Sequence, residues 1–108
     1  MEFFEEAFVT TPTKESYDRL MAYFDDNGIE WNSGHRASEL YGWHHNRTYH
    51  VFKKRVDDRY KMAIANYGNH VPGPYEERFS GRRIHIISVD EYLGCAEEID
   101  ISGYEMLL

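Results

Sequence analysis

One cysteine, Cys95, is all the thiol this 108-residue chain carries, which excludes an internal disulfide framework and leaves the fold to rest on its apolar core. No apolar run preceded by basic residues opens the sequence, so a signal-peptide pattern is missing. No apolar stretch approaches the roughly 20 residues that cross a bilayer. These absences point to a reducing cytoplasm and away from membrane attachment, since acidic chain ends are repelled by anionic lipid. Internal repeats and low-complexity tracts are also missing. The least expected absence is of bases: residues 84–108 hold six acids and no Lys or Arg.

That last absence belongs to a sorting of charge along the chain. Residues 1–35 carry eight acids against Lys14 and Arg19, and residues 36–83 carry ten bases against five acids. The three segments are thus net −6, +5 and −6, consistent with −7 for the whole. Such segregation bears on partners more than on fold, because a concentrated field of one sign attracts a surface of the other. With 42% hydrophobic residues, the length suits a single α+β domain over 1–108. Aromatic content of 16%, including nine Tyr, disfavours disorder. It also exceeds what a core of this size needs, which is compatible with a homodimer or with another aromatic binding surface.

Phe3 to Thr10 alternates apolar and polar residues as a strand does. Thr11-Pro12-Thr13 offers a hydroxyl cap and a first-turn proline, and Tyr17, Leu20, Met21 and Phe24 follow at helical spacing. A helix over residues 13–26 is therefore expected, stopped by Asn27-Gly28. Ile29, Trp31 and Ser33 suggest a short strand running into Gly34. Thr48–Val56 and Arg59–Tyr67 read as a central hairpin joined at Asp57-Asp58, with Tyr60, Met62 and Ile64 toward the core. Asn32–Arg47 and Gly68–Arg83 read as long connections. Ile84–Val89 reads as a strand, and Ser88-Val89-Asp90-Glu91 as a capping box opening a short helix near 89–93 that ends at Gly94. Ile99 and Ile101 alternate with acids in a candidate edge strand. The expected fold class is α+β: a mainly antiparallel sheet of four to six strands, with one long helix, about 13–26, packed on one face.

The segments Thr11-Pro12-Thr13-Lys14-Glu15, Gly28-Ile29-Glu30-Trp31-Asn32-Ser33-Gly34 and Ile86-Ile87-Ser88-Val89-Asp90-Glu91-Tyr92-Leu93 together resemble small accessory proteins encoded by bacteriophages and prophages. The resemblance covers both ends of the chain and leaves most of residues 35–83 unmatched. It implies an anti-defence role, since phage accessory proteins of this size with a known role are often inhibitors of host enzymes, anti-CRISPR proteins among them. The matched residues have structural duties as caps, turns and core, so no functional residue is carried over from them.

Residue chemistry argues against catalysis. The acid pairs Asp57-Asp58, Glu76-Glu77 and Glu97-Glu98 are chain neighbours that point apart when extended. Ser33-Gly34 and Ser80-Gly81 lack the flanks of a nucleophile elbow. His44, His45, His50, His70, His85 and Cys95 include metal donors but no ligand spacing of a known zinc site. Accordingly the sequence implies no enzyme, no cofactor and no metal. Lys53, Lys54, Arg55, Arg59 and Lys61, with Tyr49 and Tyr60, resemble a phosphate-holding hairpin, but a net charge of −7 disfavours direct nucleic-acid binding.

The leading expectation is a non-catalytic inhibitor with a nucleic-acid-mimicking acidic surface, bound to a basic host nuclease such as a CRISPR effector. Glu2, Glu5 and Glu6 from one end, with Glu97, Glu98, Asp100 and Glu105 from the other, would form the negative face. Tyr41, Trp43 and Tyr75 would anchor it. One alternative is a nucleotide-signal sponge using Arg36, Arg47, Arg82 and Arg83. A last one is a metal- or histidine-dependent hydrolase built on His44 or His45.

Overall fold

The structure, a computed structural model, describes residues 6–40, 42–76 and 83–96. Among these residues six strands form one sheet in the order β2-β4-β3-β1-β6-β5, with three helices. The strands are β1 (Glu6–Thr11), β2 (Glu30–Trp31), β3 (Arg47–Val56), β4 (Arg59–Asn69), β5 (Gly73–Glu76) and β6 (Arg83–Ser88). The helices are α1 (Lys14–Asp26), α2 (Ala37–Leu40) and α3 (Val89–Ala96).

The sheet is mixed, with antiparallel pairing in the majority as expected. β1 pairs antiparallel with β3, β3 with β4, and β5 with β6, but β1–β6 and β2–β4 are parallel. The reason is topological. α1 returns the chain so that β2 starts in the direction of β1, and β4, two strands away from β1 across β3, has that direction too. Pairing β2 with β4 is then necessarily parallel.

α1 is thirteen residues long, an ordinary helix rather than the long one expected, because both ends are chemically stopped. At the start, Thr13 Oγ1 accepts from Ser16 N–H and Ser16 Oγ accepts from Thr13 N–H, each at 3.1 Å. This is a reciprocal cap with Ser in the usual Glu position. At the end, Gly28 adopts φ +67°, and the Ile29 and Gly28 N–H groups donate to Phe24 and Asp25 carbonyls, the paired bonds of a Schellman stop. Tyr17, Leu20, Met21 and Phe24 face the sheet. They meet Ala7 and Val9 of β1, Tyr49 and Val51 of β3, Met62 and Ile64 of β4, and Tyr92 of α3 in one core. Leu20 and Phe24 are each 0% exposed, worth roughly 1.5–3 kcal/mol apiece in buried apolar surface.

The β3–β4 hairpin turns at Asp57-Asp58 with Val56 opposite Arg59, as the sequence suggests. Asp57 sits at φ +56°, a left-handed conformation that Asp tolerates better than most residues. Met62 and Ile64 reach the core while Tyr60 stays half-exposed.

Three local expectations are corrected. The connection 32–47 is not structureless: Gly34 N–H donates to Trp31 O, Trp31 N–H to His35 O and the Trp31 indole to Ala37 O, which brings the chain into α2. The connection 68–83 contains β5, with Tyr75 opposite Ile84. α3 runs through Gly94 to Ala96 instead of stopping there. Its start agrees with the capping motif, the Ser88 hydroxyl accepting from Glu91 N–H at 3.2 Å. The expected strand at Ile99–Ile101 and the beginning of the first strand, Phe3–Glu5, lie outside the described residues.

Candidate functional site

The helical amphipathicity that builds the core also decides where the acids go. With Tyr17, Leu20, Met21 and Phe24 turned inward, Glu15, Asp18, Ala22 and Asp26 share the opposite, exposed stripe of α1. Across the three helices there are seven acids (Glu15, Asp18, Asp25, Asp26, Glu39, Asp90 and Glu91) against Lys14, Arg19 and the preceding Arg36, a net −4. The bases have assigned tasks. Lys14 pairs with Asp18 at 3.0 Å, Arg19 clamps α1 to α3 through Asp90, and Asp25 Oδ2 accepts from both Ser38 Oγ (2.6 Å) and Arg36 Nη2 (3.3 Å).

The β3–β4 hairpin carries the opposite sign. Arg47, Lys53, Lys54, Arg55, Arg59 and Lys61 stand against Asp57 and Asp58, a net +4. Two of these cations bond to neutral oxygens: Lys54 Nζ to Asn32 O at 3.0 Å and Arg55 Nε to Asp57 O at 3.2 Å. Lys53 Nζ lies 4.6 Å from the Tyr60 ring centre, a cation–π distance. Lys61 pairs with Glu30 at 3.3 Å. Val56, Asp57, Asp58, Arg59 and Lys61 line a hollow of about 480 Å³ at the tip.

Of the sequence-derived partner residues, Trp43 is placed in the open. It is 37% exposed, its indole N–H donates to Thr11 O at 3.1 Å, and it stands edge-on to His45 at the amino-terminal end of α1. Glu6 instead meets His50 Nε2 at 2.8 Å, and the His50 ring stacks on Phe8 at 4.4 Å. Its charge is therefore engaged within the sheet face away from the helices. Tyr75 is at the β5 position opposite Ile84. Glu2, Glu5, Tyr41, Glu97, Glu98, Asp100 and Glu105 lie outside the described residues, and with them the expected meeting of the two chain ends. The α1 stripe is legible in the sequence at helical spacing and lies apart from the terminal acids expected to form the negative face.

Among the described residues, which leave out Arg82, the alternative sites are not brought together. Arg47, 8% exposed, lies opposite Thr11 at the carboxyl end of β1. Arg83 opens β6, five residues before Ser88, which lies opposite Thr10. At about 3.3 Å per residue these two are at opposite ends of the sheet, and Arg36 is tied to Asp25 beside α2. A second hollow, of about 520 Å³, is lined by Trp31, Asn32, Ser33, His35, Ile64, Ala65 and Asn66. In it Ser33 Oγ and His35 Nδ1 approach to 2.8 Å. Both belong to one tight turn, and among the described residues no carboxylate lines that hollow to orient the imidazole. His44 and His45 are exposed, His45 with its Nδ1 3.0 Å from Pro12 O. Among the described residues no three His, Cys, Asp or Glu side chains gather as metal ligands, and no helix is long and apolar enough to cross a membrane.

Comparison of the chain with protein-family models, with curated proteins and with solved structures finds no match.

Proposed function

We propose that the chain is a non-catalytic binding protein that sets its acidic helix layer into a basic, nucleic-acid-handling groove of a partner protein. The phage-protein resemblance makes a host defence nuclease, such as a CRISPR effector, the partner class. The observation that carries this reading is the sorting of charge by layer: net −4 over the helices and net +4 over the hairpin. A sorted field steers encounter with a cationic surface and orients the molecule as it approaches. Trp43, exposed beside the start of α1, supplies the flat apolar anchor that such interfaces concentrate their affinity in.

The test is inhibition of purified effector nucleases across a series of salt concentrations. Inhibition weakens as salt rises, and the Glu15→Lys/Asp18→Lys/Asp26→Lys triple variant loses at least about tenfold in potency, on the order of 1.4 kcal/mol. Absence of binding to every basic nuclease tried at low salt would end the proposal. So would wild-type potency in the triple variant.

A further inference from the structure

We infer that the tip of the β3–β4 hairpin, residues 53–61, is a contact for single-stranded nucleic acid. This goes beyond the acidic-layer reading and does not rest on it. The whole-chain charge of −7 argues against such a contact only while the charge is treated as spread over the molecule. In the fold it is not spread. The molecule measures 35 × 30 × 27 Å, while the Debye length is about 10 Å at 0.1 M salt, so a phosphate at the hairpin responds mostly to the hairpin.

The ribbon has the required shape. Among the described residues, β1 pairing stops at Glu6 opposite Phe52 and β2 pairing starts at Glu30 opposite Ala63. From Lys53 to Met62 the two arms therefore pair with each other, with Lys53 opposite Met62, Lys54 opposite Lys61 and Arg55 opposite Tyr60. Strand alternation puts Lys53 and Arg55 on one face together with Tyr60, and Lys54, Arg59 and Lys61 on the other. Each face then presents a row of cations about 6.8 Å apart. One face adds a half-exposed phenol ring held beside Lys53. A basic row with a ring is the arrangement that grips a strand by phosphate contacts and base stacking. Lys54 and Arg55 bond to carbonyl oxygens, not carboxylates, so neither charge is cancelled by its own hydrogen bond. Among the described residues the opposing charges at the tip are Asp57, Asp58 and Glu30, the last engaged with Lys61.

A duplex lacks free base faces for Tyr60, and an acidic protein lacks flat rings at regular spacing. The single strand therefore fits the tip best. The measurement is fluorescence anisotropy of a labelled 20-nucleotide single strand with the full chain at 20, 50, 100 and 200 mM NaCl. With about three phosphates contacted, log affinity falls against log salt with a slope of about −2. Lys53→Glu/Arg55→Glu weakens binding at least about tenfold, and Tyr60→Ala about fivefold, for one stacked base worth about 1 kcal/mol. Asp57→Asn/Asp58→Asn tightens it several-fold, by removing repulsion while keeping a residue that tolerates the left-handed turn. Thermal melts of each variant check that the fold is retained. The inference is overturned by no binding at 20 mM NaCl, by equal or tighter binding of a duplex of the same sequence, or by wild-type affinity in a folded Lys53→Glu/Arg55→Glu variant. All these substitutions leave the helix layer untouched, so either surface can fail while the other stands.

Discussion

The Tyr49 hydroxyl gives up its water in the core and, among the described residues, gains no hydrogen bond in return: the ring is 0% exposed and Oη has no partner there. Thr11 is close by, but its hydroxyl donates to Arg47 O at 3.3 Å. Removing an unsatisfied buried hydroxyl costs little and relieves a desolvation penalty of about 1–3 kcal/mol, so Tyr49→Phe is expected to melt at the wild-type temperature or above it. The same burial pushes the Tyr49 phenol well above its ordinary value of 10, against a lesser opposing pull from Arg47. Tyr92, packed edge-on to Tyr23 at 5.7 Å, is pushed up in the same way, first by burial and then by Tyr23. Above pH 10 the unfolded chain therefore releases phenolic protons that the folded chain keeps. The stability these groups contribute is whole below pH 10 and is lost as pH climbs toward the folded values, at up to about 1.4 kcal/mol per pH unit for each tyrosine. Denaturant melts from pH 9 to 11.5 should show this decline, shallower in Tyr49→Phe by about one tyrosine's share. An identical slope in the two proteins contradicts the assignment.

α1 depends on a cap that a single atom can remove. Thr13→Ala deletes the acceptor for Ser16 N–H and should cost about 1 kcal/mol, seen as a fall of several degrees in melting temperature. Thr13→Ser, which keeps the oxygen, should stay within a few tenths. The helix and the hairpin were readable from sequence because their signals are local. A hydroxyl and a proline precede the helix, apolar residues recur at its period, Asn-Gly stops it, and two alternating runs flank Asp57-Asp58. What was not readable depends on distant partners. β5 is a strand because Gly73–Glu76 meets β6, and nothing in its four residues, Pro74 included, announces that. Gly94 did not stop α3, since a glycine costs only about 1 kcal/mol inside a helix and Val89 and Tyr92 are anchored in the core. The direction of β2 beside β4 follows from the path of the whole chain. At the site, the charge sorting was visible from the order of charges along the chain. The engagement of Glu6 by His50, 44 residues away, was not, because it follows from strand register.

Acids on the helices and bases on one hairpin give the whole molecule two faces of opposite sign, and that asymmetry has a consequence independent of any partner. Near the isoelectric point, about pH 5.3, net repulsion between copies vanishes. Bringing a charge of −7 to zero takes only about seven added protons, shared among six histidines and nineteen carboxylates, so most of the acids and all twelve lysines and arginines keep their charge. Copies then attract with the helix layer of one against the hairpin of another. Static light scattering at pH 5.3 and 10 mM salt should give a negative second virial coefficient. Added salt should drive it toward zero by about 0.3 M, because the attraction is Coulombic and is screened over a Debye length of less than about 10 Å. Evenly interspersed charge predicts no such recovery, since apolar attraction is not weakened by salt of this strength. Lys53→Glu/Arg55→Glu, measured at its own isoelectric point, should lose the salt-sensitive part of the attraction while remaining folded. If wild type and variant respond to salt alike, the two faces do not act as separate surfaces in solution, whatever their formal charges.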